Sequence, residues 1–390
     1  MRLLLRGGRI FTAAEAGTLP EGSVLVDGDR IAWVGAGEPE QPYDDALELS
    51  GALLTPGLVD AHTHPVYAVP RLEEVALRSA GAGYAEVARA GGGIVATVRS
   101  TREAALPQMQ ETVAQRLLAW PRGGATSVEV KTGYHLEREG ELGAVRLLHA
   151  LEGRPGLPRL GVTFLAAHAV PAGASQGDYA EVAAAWAPEA RAAGARFVDV
   201  FCDEGYFTNE ESRAILEAGR EAGLELRIHA DELARTGGAL LAAELRARSA
   251  DHLLRITAED AQALAQAGVV ATLAPATALS LGVRPPVQDL LAAGCAIALG
   301  SDHNPGTSGI TSMSLVVSLA VSALGLSVEG ALLAATAGGA ASLGAADRGT
   351  IAAGQLADLV LWDADHAGAF GWAYGPAPRR VWLGGDELQL

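Results

Sequence analysis

The stretch Pro56-Gly57-Leu58-Val59-Asp60-Ala61-His62-Thr63-His64, followed by Pro65-Val66-Tyr67-Ala68-Val69-Pro70-Arg71, decides how the rest of the chain is read. The apolar run from Leu53 to Val59 reads as a buried strand. Side chains alternate along a strand, so His62 and His64 project to the same side at its C-terminal end. Two neutral imidazoles on one face can each offer a nitrogen to a single divalent cation, while Thr63 faces away. A lone His-x-His pair is a modest signal, and further ligands have to come from elsewhere in the chain.

Outward from that strand, between about residues 56 and 343, one pattern repeats: apolar strand, polar or histidine-bearing tip, Ala-rich helix. The first tip is His62-Thr63-His64. The others are Glu129-Val130-Lys131-Thr132-Gly133-Tyr134, Ala167-His168, Phe201-Cys202-Asp203-Glu204, Ile228-His229-Ala230-Asp231-Glu232, Asp251-His252, Ala274-Pro275-Ala276-Thr277 and Gly300-Ser301-Asp302-His303-Asn304. Helical periodicity separates most of them, as in Asp178 to Ala193, Asn209 to Ala222, Thr257 to Ala267 and Val287 to Ala293. The expected fold class is α/β, a (β/α)₈ TIM-type barrel, since eight such units fit its typical length of about 250 residues. A doubly wound open sheet fits less well, because it concentrates its site at one switch point and would not need polar residues at nearly every strand end.

The two ends of the chain differ from the centre. Residues 1–55 hold short strands at Leu3 to Leu5, Arg9 to Phe11, Ser23 to Val26, Arg30 to Val34 and Ala46 to Leu49, with hairpin turns such as Asp27-Gly28-Asp29. Strand patterns return at Gly349 to Ile351, Ala357 to Trp362 and Arg379 to Leu383. The expectation is a discontinuous small β-sandwich built from 1–55 and 344–390, with the barrel, 56–343, inserted between its halves.

Composition narrows the function classes. A formal net charge of -17 disfavours nucleic acid and anionic membrane surfaces as partners, because the summed field repels polyanions. The two cysteines, Cys202 and Cys295, lie in apolar segments, which points to packed thiols in a reducing compartment. No stretch reads as a signal peptide or as long enough to span a bilayer. A soluble cytoplasmic protein is expected; whether it forms a homodimer stays open.

In a barrel the C-terminal strand ends converge on one mouth. Of nine histidines, six (His62, His64, His168, His229, His252 and His303) fall at such ends. His62 and His64 from the first strand, His229 from the fifth, His252 from the sixth and Asp302 from the eighth form a donor set suited to zinc or iron(II), with a position left for water. A second metal would want a bridging lysine or glutamate on the fourth strand. Phe201-Cys202-Asp203-Glu204 has no lysine, and Lys131 sits on the second strand, so one divalent ion per chain is expected, with Glu204 the remaining alternative. Glu232, just past His229, is placed to shuttle a proton to a leaving nitrogen, and Asp302 and His252 to accept the other proton or orient the attack.

With these residues in view, the chain resembles the amidohydrolase superfamily and, within it, the imidazolonepropionase family. The resemblance runs over nearly the whole chain and is carried by Asp60-Ala61-His62-Thr63-His64 with Arg71, Gly91-Gly92-Gly93-Ile94 with Thr97-Val98-Arg99 and Thr101-Arg102, and Glu129-Val130-Lys131-Thr132-Gly133-Tyr134. It continues in Ala167-His168-Ala169-Val170-Pro171, Val198-Asp199-Val200-Phe201-Cys202, His229-Ala230-Asp231-Glu232, Ser249-Ala250-Asp251-His252-Leu253 and Asn304-Pro305-Gly306. It implies hydrolysis of 4-imidazolone-5-propanoate to N-formimidoyl-L-glutamate. His62, His64, His229 and Asp302 are then the implied metal ligands. Arg71, Tyr84, Tyr134, His168 and Glu232 are the implied substrate-binding set, and Asn304, Gly306 and Thr307 form the loop at the glutamate end. An anionic heterocycle entering an acidic protein needs a local cation, and the planar fork of Arg71 matches a carboxylate. Pro65, Val69-Pro70, His135 and His303 depart from what is common in the family. They remove no implied ligand and bear on the shape of the pocket.

Two other readings stand beside this one. A related amidohydrolase or deaminase of another small heterocycle could use the same ligands and the same Glu232; Arg71 and the Gly91-Gly92-Gly93 loop favour the first reading. A catalytically silent binder would not need Glu232, His252 and Asp302 together.

Overall fold

The apolar run from Leu53 to Val59 forms two strands rather than one. In the computed structural model, which describes residues 1–81 and 91–389, Leu53–Pro56 joins a sheet with the chain ends while Leu58–Asp60 enters the barrel. Gly57 makes the step. A Cβ there would lie 2.0 Å from Thr126 Oγ1, so the backbone passes the next strand only without a side chain. Adjacent amides then bond in different directions: Gly57 N–H donates to Asp358 O at 2.8 Å, and Leu58 N–H to Gly124 O at 2.9 Å.

In chain order the first five strands are β1 (Arg2–Phe11), β2 (Thr18–Asp27), β3 (Arg30–Gly35), β4 (Asp45–Glu48) and β5 (Leu53–Pro56). The barrel strands are β6 (Leu58–Asp60), β7 (Ala125–Lys131), β8 (Arg159–Ala167), β9 (Phe197–Cys202), β10 (Glu225–Ala230), β11 (Ser249–His252), β12 (Val270–Leu273) and β13 (Ile297–Leu299). The last three are β14 (Leu359–Trp362), β15 (Pro378–Leu383) and β16 (Asp386–Glu387).

Strands β6 to β13 pair in sequence order and in parallel. Closure comes just past the first and last of them. Ala61 N–H donates to Leu299 O at 3.0 Å, Asp302 N–H to His62 O at 3.0 Å, and His64 N–H to His303 O at 2.7 Å. The residues that shut the barrel are thus the same ones that carry the His-x-His motif and Asp302. Outside the strands the apolar core lies against the helices, through Trp120, Val128, Val130, Phe164, Val198, Leu216, Ile228 and Leu264.

The helices follow the periodicity closely, with one correction. Asp178 to Ala193 is two helices, Gln176–Ala185 and Ala187–Ala193, because Pro188 in the first turn of the second has no N–H for a continuing ladder. Asn209–Glu221 and Ala258–Ala267 each begin with a capping box, Thr208 with Glu211 and Thr257 with Asp260. These boxes satisfy the orphan amides at the helix starts and allow short connections from the strand tips. Among the described residues no helix is long and apolar enough to cross a membrane.

The strands of both chain ends lie in one eight-stranded sheet, ordered β16-β15-β14-β5-β1-β2-β3 with β4 also on β1. β14 runs antiparallel to β5, pairing Leu359 with Pro56 and Leu361 with Leu54. The sheet has its own apolar cluster of Leu5, Ile10, Val24, Leu54, Leu359 and Trp382. Two expected N-terminal strands are one, β1, with irregular register around Gly8. Gly349 to Ile351 is not a strand; it contributes a single link, Ile351 N–H to Thr12 O at 2.8 Å.

Candidate metal centre and active site

At the barrel mouth three imidazole nitrogens converge. His64 Nε2 lies 3.1 Å from His62 Nε2 and 3.3 Å from His229 Nε2. Asp302 Oδ1 is 3.5 Å from His64 Nε2 and 3.7 Å from His62 Nε2. Nitrogens bound at 2.0–2.1 Å to one tetrahedral ion would sit about 3.3 Å apart. The spacing therefore suits a single cation shared by His62, His64 and His229, with Asp302 beside it. His62, His252 and Asp302 form a second, overlapping donor group.

The barrel interior sets how two of these rings are turned. His62 Nδ1 is 2.6 Å from Asp251 Oδ2, and His229 Nδ1 is 3.0 Å from Asp199 Oδ2. A carboxylate facing Nδ1 accepts from Nδ1–H and leaves Nε2 with its lone pair. Two bare lone pairs aimed at one point repel unless a cation lies between them, so the residues present fit a metal. Burial, followed for His62 by the charge of Lys131 and for His64 by neighbouring His168, pushes both pKa values well below the usual histidine range. Both rings are accordingly neutral and able to ligate.

Asp302 and Glu232 are carboxyls in an enclosed site. Burial pushes Asp302 up to about 6, against a hydrogen bond from Thr277 Oγ1. It pushes Glu232 up to about 7, with His252 opposing and Asp302 adding to the rise. Glu232 Oε2 stands 3.7 Å from His252 Nε2, and burial lowers His252. A carboxyl poised near neutrality beside a neutral imidazole is suited to moving protons. Its turn is held from two sides. Asp203 accepts the backbone N–H groups of Glu232, Leu233 and Ala234 at 2.7, 2.8 and 3.0 Å. Asp231, with φ 51°, accepts those of Thr236, Gly237 and Ala239.

Among the described residues, the remaining expected ones other than Gly306 line the same cleft. His64, Arg71, Tyr134, His168, His229, Glu232, His252, Asp302, Asn304 and Thr307 all border it. His168 stacks on His64, with ring centroids 4.9 Å apart, and its Nδ1 is 3.1 Å from Gly133 O. Burial pushes its pKa down to about 3. Arg71 Nε pairs with Glu74 Oε1 at 2.9 Å, and its Nη1 donates to Thr97 Oγ1 at 2.5 Å. Gly306 gives the guanidinium room, since a Cβ there would lie 1.9 Å from Arg71 Nη2. The amide of Asn304 organises its own loop: Oδ1 accepts from Gly306 N and Thr307 N, both at 2.8 Å, and Nδ2 donates to Asp302 O and Thr307 Oγ1. Tyr84 lies outside the described residues.

Several other residues near the strand tips lie outside the donor cluster or take part in other contacts. Lys131, at the end of the second barrel strand, is fully buried beneath the histidines and binds Glu129, Asp199 and Asp251. Glu204 is exposed, away from the donor cluster. Cys202 is a core thiol whose Sγ lies 3.1 Å from Asn209 Oδ1. None of Pro65, Val69, Pro70, His135 and His303 is among the residues bordering the cleft. His303 instead packs on Trp120 and bonds Tyr67. Asp60 joins the two ends of the barrel closure, taking Ser301 N–H at 2.8 Å and Trp120 Nε1–H at 2.7 Å. The roles of Asp203 and Thr277 had no sequence signal beyond their places in strand tips, and Trp120, in the helix Ala119–Arg122, had none.

Comparison with known proteins agrees with this architecture. Residues 53–388 match the model of the amidohydrolase family. An imidazolonepropionase of Anaeromyxobacter sp. (strain K) is 42% identical over 375 residues, covering 92% of this chain and 89% of that protein. One from Cereibacter sphaeroides (strain KD131 / KCTC 12085) is 39% identical over 395 residues, covering 99% and 100%. Among solved structures, a Xaa-Pro dipeptidase with bound methionine superposes with a TM-score of 0.75 at 16% identity over the full length of both chains. A mutant of the atrazine chlorohydrolase from Arthrobacter aurescens TC1, complexed with zinc and atraton, gives 0.70 at 18% identity, covering 99% and 95%. At such identities the structural likeness speaks for the fold alone, and the sequence match carries the family. The chain belongs to the amidohydrolase family and, within it, to the imidazolonepropionases.

Proposed function

We propose that this chain hydrolyses a ring C–N bond of 4-imidazolone-5-propanoate to yield N-formimidoyl-L-glutamate, a step of histidine degradation. The observation that carries the reading is one cleft bordered by His64, His229 and Arg71, with His62 Nε2 3.1 Å from His64 Nε2. The relatives named imidazolonepropionase, 39–42% identical over most of the chain, support it.

His62, His64, His229 and Asp302 would hold one divalent cation, zinc or iron. When bound, such an ion acts as a Lewis acid and lowers the pKa of a water ligand from about 15.7 toward about 7. The protein's own groups do the rest. The guanidinium of Arg71 binds the propanoate carboxylate, and His168 and Tyr134 bracket the ring. As water oxygen adds to the ring carbonyl carbon, its proton passes to Asp302 or His252. Glu232, holding a proton near pH 7 because it is buried, delivers one to the ring nitrogen as the C–N bond breaks. Asp203 and Asp231 keep that carboxyl in place, and the loop of Asn304, Gly306 and Thr307 faces the glutamate end.

Residues 1–55 and 344–390 act in this reading as a composite β-sandwich unit supporting a catalytic barrel of 56–343; the separate apolar cluster of the terminal sheet supports that division. A cytoplasmic location suits a catabolic enzyme with two buried free thiols. Metal analysis tests the site. A stoichiometry near one per chain, lost in His64→Ala, is expected; undiminished metal in that variant would contradict the ligand assignment.

A further inference from the structure

Beneath the histidines lies a sealed cluster of charges that the reaction does not use. Glu129, Lys131, Asp199, Arg227 and Asp251 are each 0–1% exposed. Lys131 Nζ donates to Asp199 Oδ2 at 2.7 Å, Glu129 Oε1 at 2.9 Å and Asp251 Oδ2 at 3.5 Å. Two of those oxygens also face the metal-site imidazoles: Asp199 Oδ2 is the one 3.0 Å from His229 Nδ1, and Asp251 Oδ2 the one 2.6 Å from His62 Nδ1. Arg227 braces the same group from below through Ala61 O at 2.8 Å, Ser342 O at 2.9 Å and Asp251 Oδ2 at 3.3 Å.

We propose that Lys131 is a positioning residue of the metal centre. One ammonium fixes the two carboxylates that turn His62 and His229, so that both rings present Nε2 to the same point. The inference rests on the metal-site reading above. Without Lys131, Asp199 and Asp251 would be two enclosed like charges with no ammonium between them, and Arg227 would still pair with Asp251. They separate, and each loses its alignment with its imidazole.

Simple electrostatics predicts the opposite sign, which makes the idea testable. A cation removed from beneath a cation site should tighten metal binding by Coulomb's law. Loss of positioning should weaken it, and groups that orient metal-ligating histidines typically matter by 10- to 100-fold in affinity.

Glu129 supplies the control. It touches Lys131, lies 3.7 Å from Arg227 and takes Thr63 N–H at 3.2 Å, with no histidine among these partners. The experiment measures zinc affinity of the metal-free full chain against a chromophoric chelator, for the parent, Glu129→Gln, Lys131→Met and the charge-balanced double variant Glu129→Gln with Lys131→Met. The expected result is a loss of about 10- to 100-fold in both variants lacking Lys131, with Glu129→Gln within about threefold of the parent. Tighter or unchanged affinity on losing Lys131 overturns the proposal, as does an equal loss in Glu129→Gln. Failure of both Lys131 variants to fold also overturns it, in favour of a purely structural role. His229→Ala separates the two levels: if it binds zinc as the parent does, the metal-site reading fails, whereas a parent-like Lys131→Met beside a defective His229→Ala sinks only this inference.

Discussion

Asp203 holds Glu232 by its backbone. The carboxylate at the end of β9 takes the N–H of Glu232 at 2.7 Å and those of Leu233 and Ala234 beside it, so the residue expected to move the proton is placed by the neighbouring strand. Hydrogen bonds to a charged acceptor are worth about 1.5–3 kcal/mol each. Asp203→Asn keeps one oxygen and replaces the other with a donor that faces backbone N–H groups. A fall in kcat of about 10- to 100-fold with metal content unchanged is expected, since a 1 Å displacement can cost that much. Steady-state kinetics with metal analysis checks it, and parent-like kcat would show that the turn holds its place unaided.

Glu232→Gln should lower kcat by about 10²- to 10⁴-fold, the range for removing a general acid or base. The same change should stabilise the metal-free protein in alkaline solution. Burial raises Glu232 from 4.5 to about 7, so the folded state binds this proton more tightly than the unfolded one. Its contribution to stability is fully present below pH 4.5 and is lost as pH rises through about 7. Thermal denaturation of Glu232→Gln should accordingly show a Tm gain over the parent at pH 8, about 1–3 °C, that shrinks toward pH 4.5. A gain confined to low pH would reverse the assigned sign.

The eight strand ends could be read from the sequence because each joins an apolar run to a polar tip, and a barrel gathers such tips at one mouth. His62, His64, His229, His252 and Asp302 came with them. The switch at Gly57 could not be read, since Leu53 to Val59 is apolar throughout and both sheets accept it; only the approach of Thr126 separates them. The charged floor was hidden for another reason. Asp199 and Asp251 stand in separate stretches of the sequence and Arg227 in a third, and their relation appears only when register puts His229 beside Asp251 and Arg227 beside Ser249. Register between parallel strands joined through helices is not written in local periodicity. The split of Asp178 to Ala193 is marked in the sequence by Pro188 alone, within an alanine-rich helical pattern.

Arg71→Ala should raise KM by about 10- to 100-fold with a smaller change in kcat. That is the loss of charge-assisted bonds worth about 1.5–3 kcal/mol to a substrate carboxylate. Steady-state kinetics decides, and an unchanged KM would remove Arg71 from carboxylate binding.

Gly306→Ala reaches the same guanidinium from the opposite side. Its Cβ would fall 1.9 Å from Arg71 Nη2, so the arginine must move while the distant fold is untouched. A KM rise of about tenfold with an unchanged Tm is expected, each 1.4 kcal/mol of lost binding being one decade. A parent-like KM would show that the arginine finds an equivalent position.

The central claim is metal-dependent opening of an anionic imidazolone ring. Its most direct test is the kcat/KM of the protein for 4-imidazolone-5-propanoate, measured beside neutral heterocycles, after chelation and after return of one equivalent of zinc or iron(II). The account predicts formation of N-formimidoyl-L-glutamate that disappears on chelation and returns with the metal. Turnover of neutral heterocycles alone, or undiminished turnover of the imidazolone in metal-free protein, would contradict it.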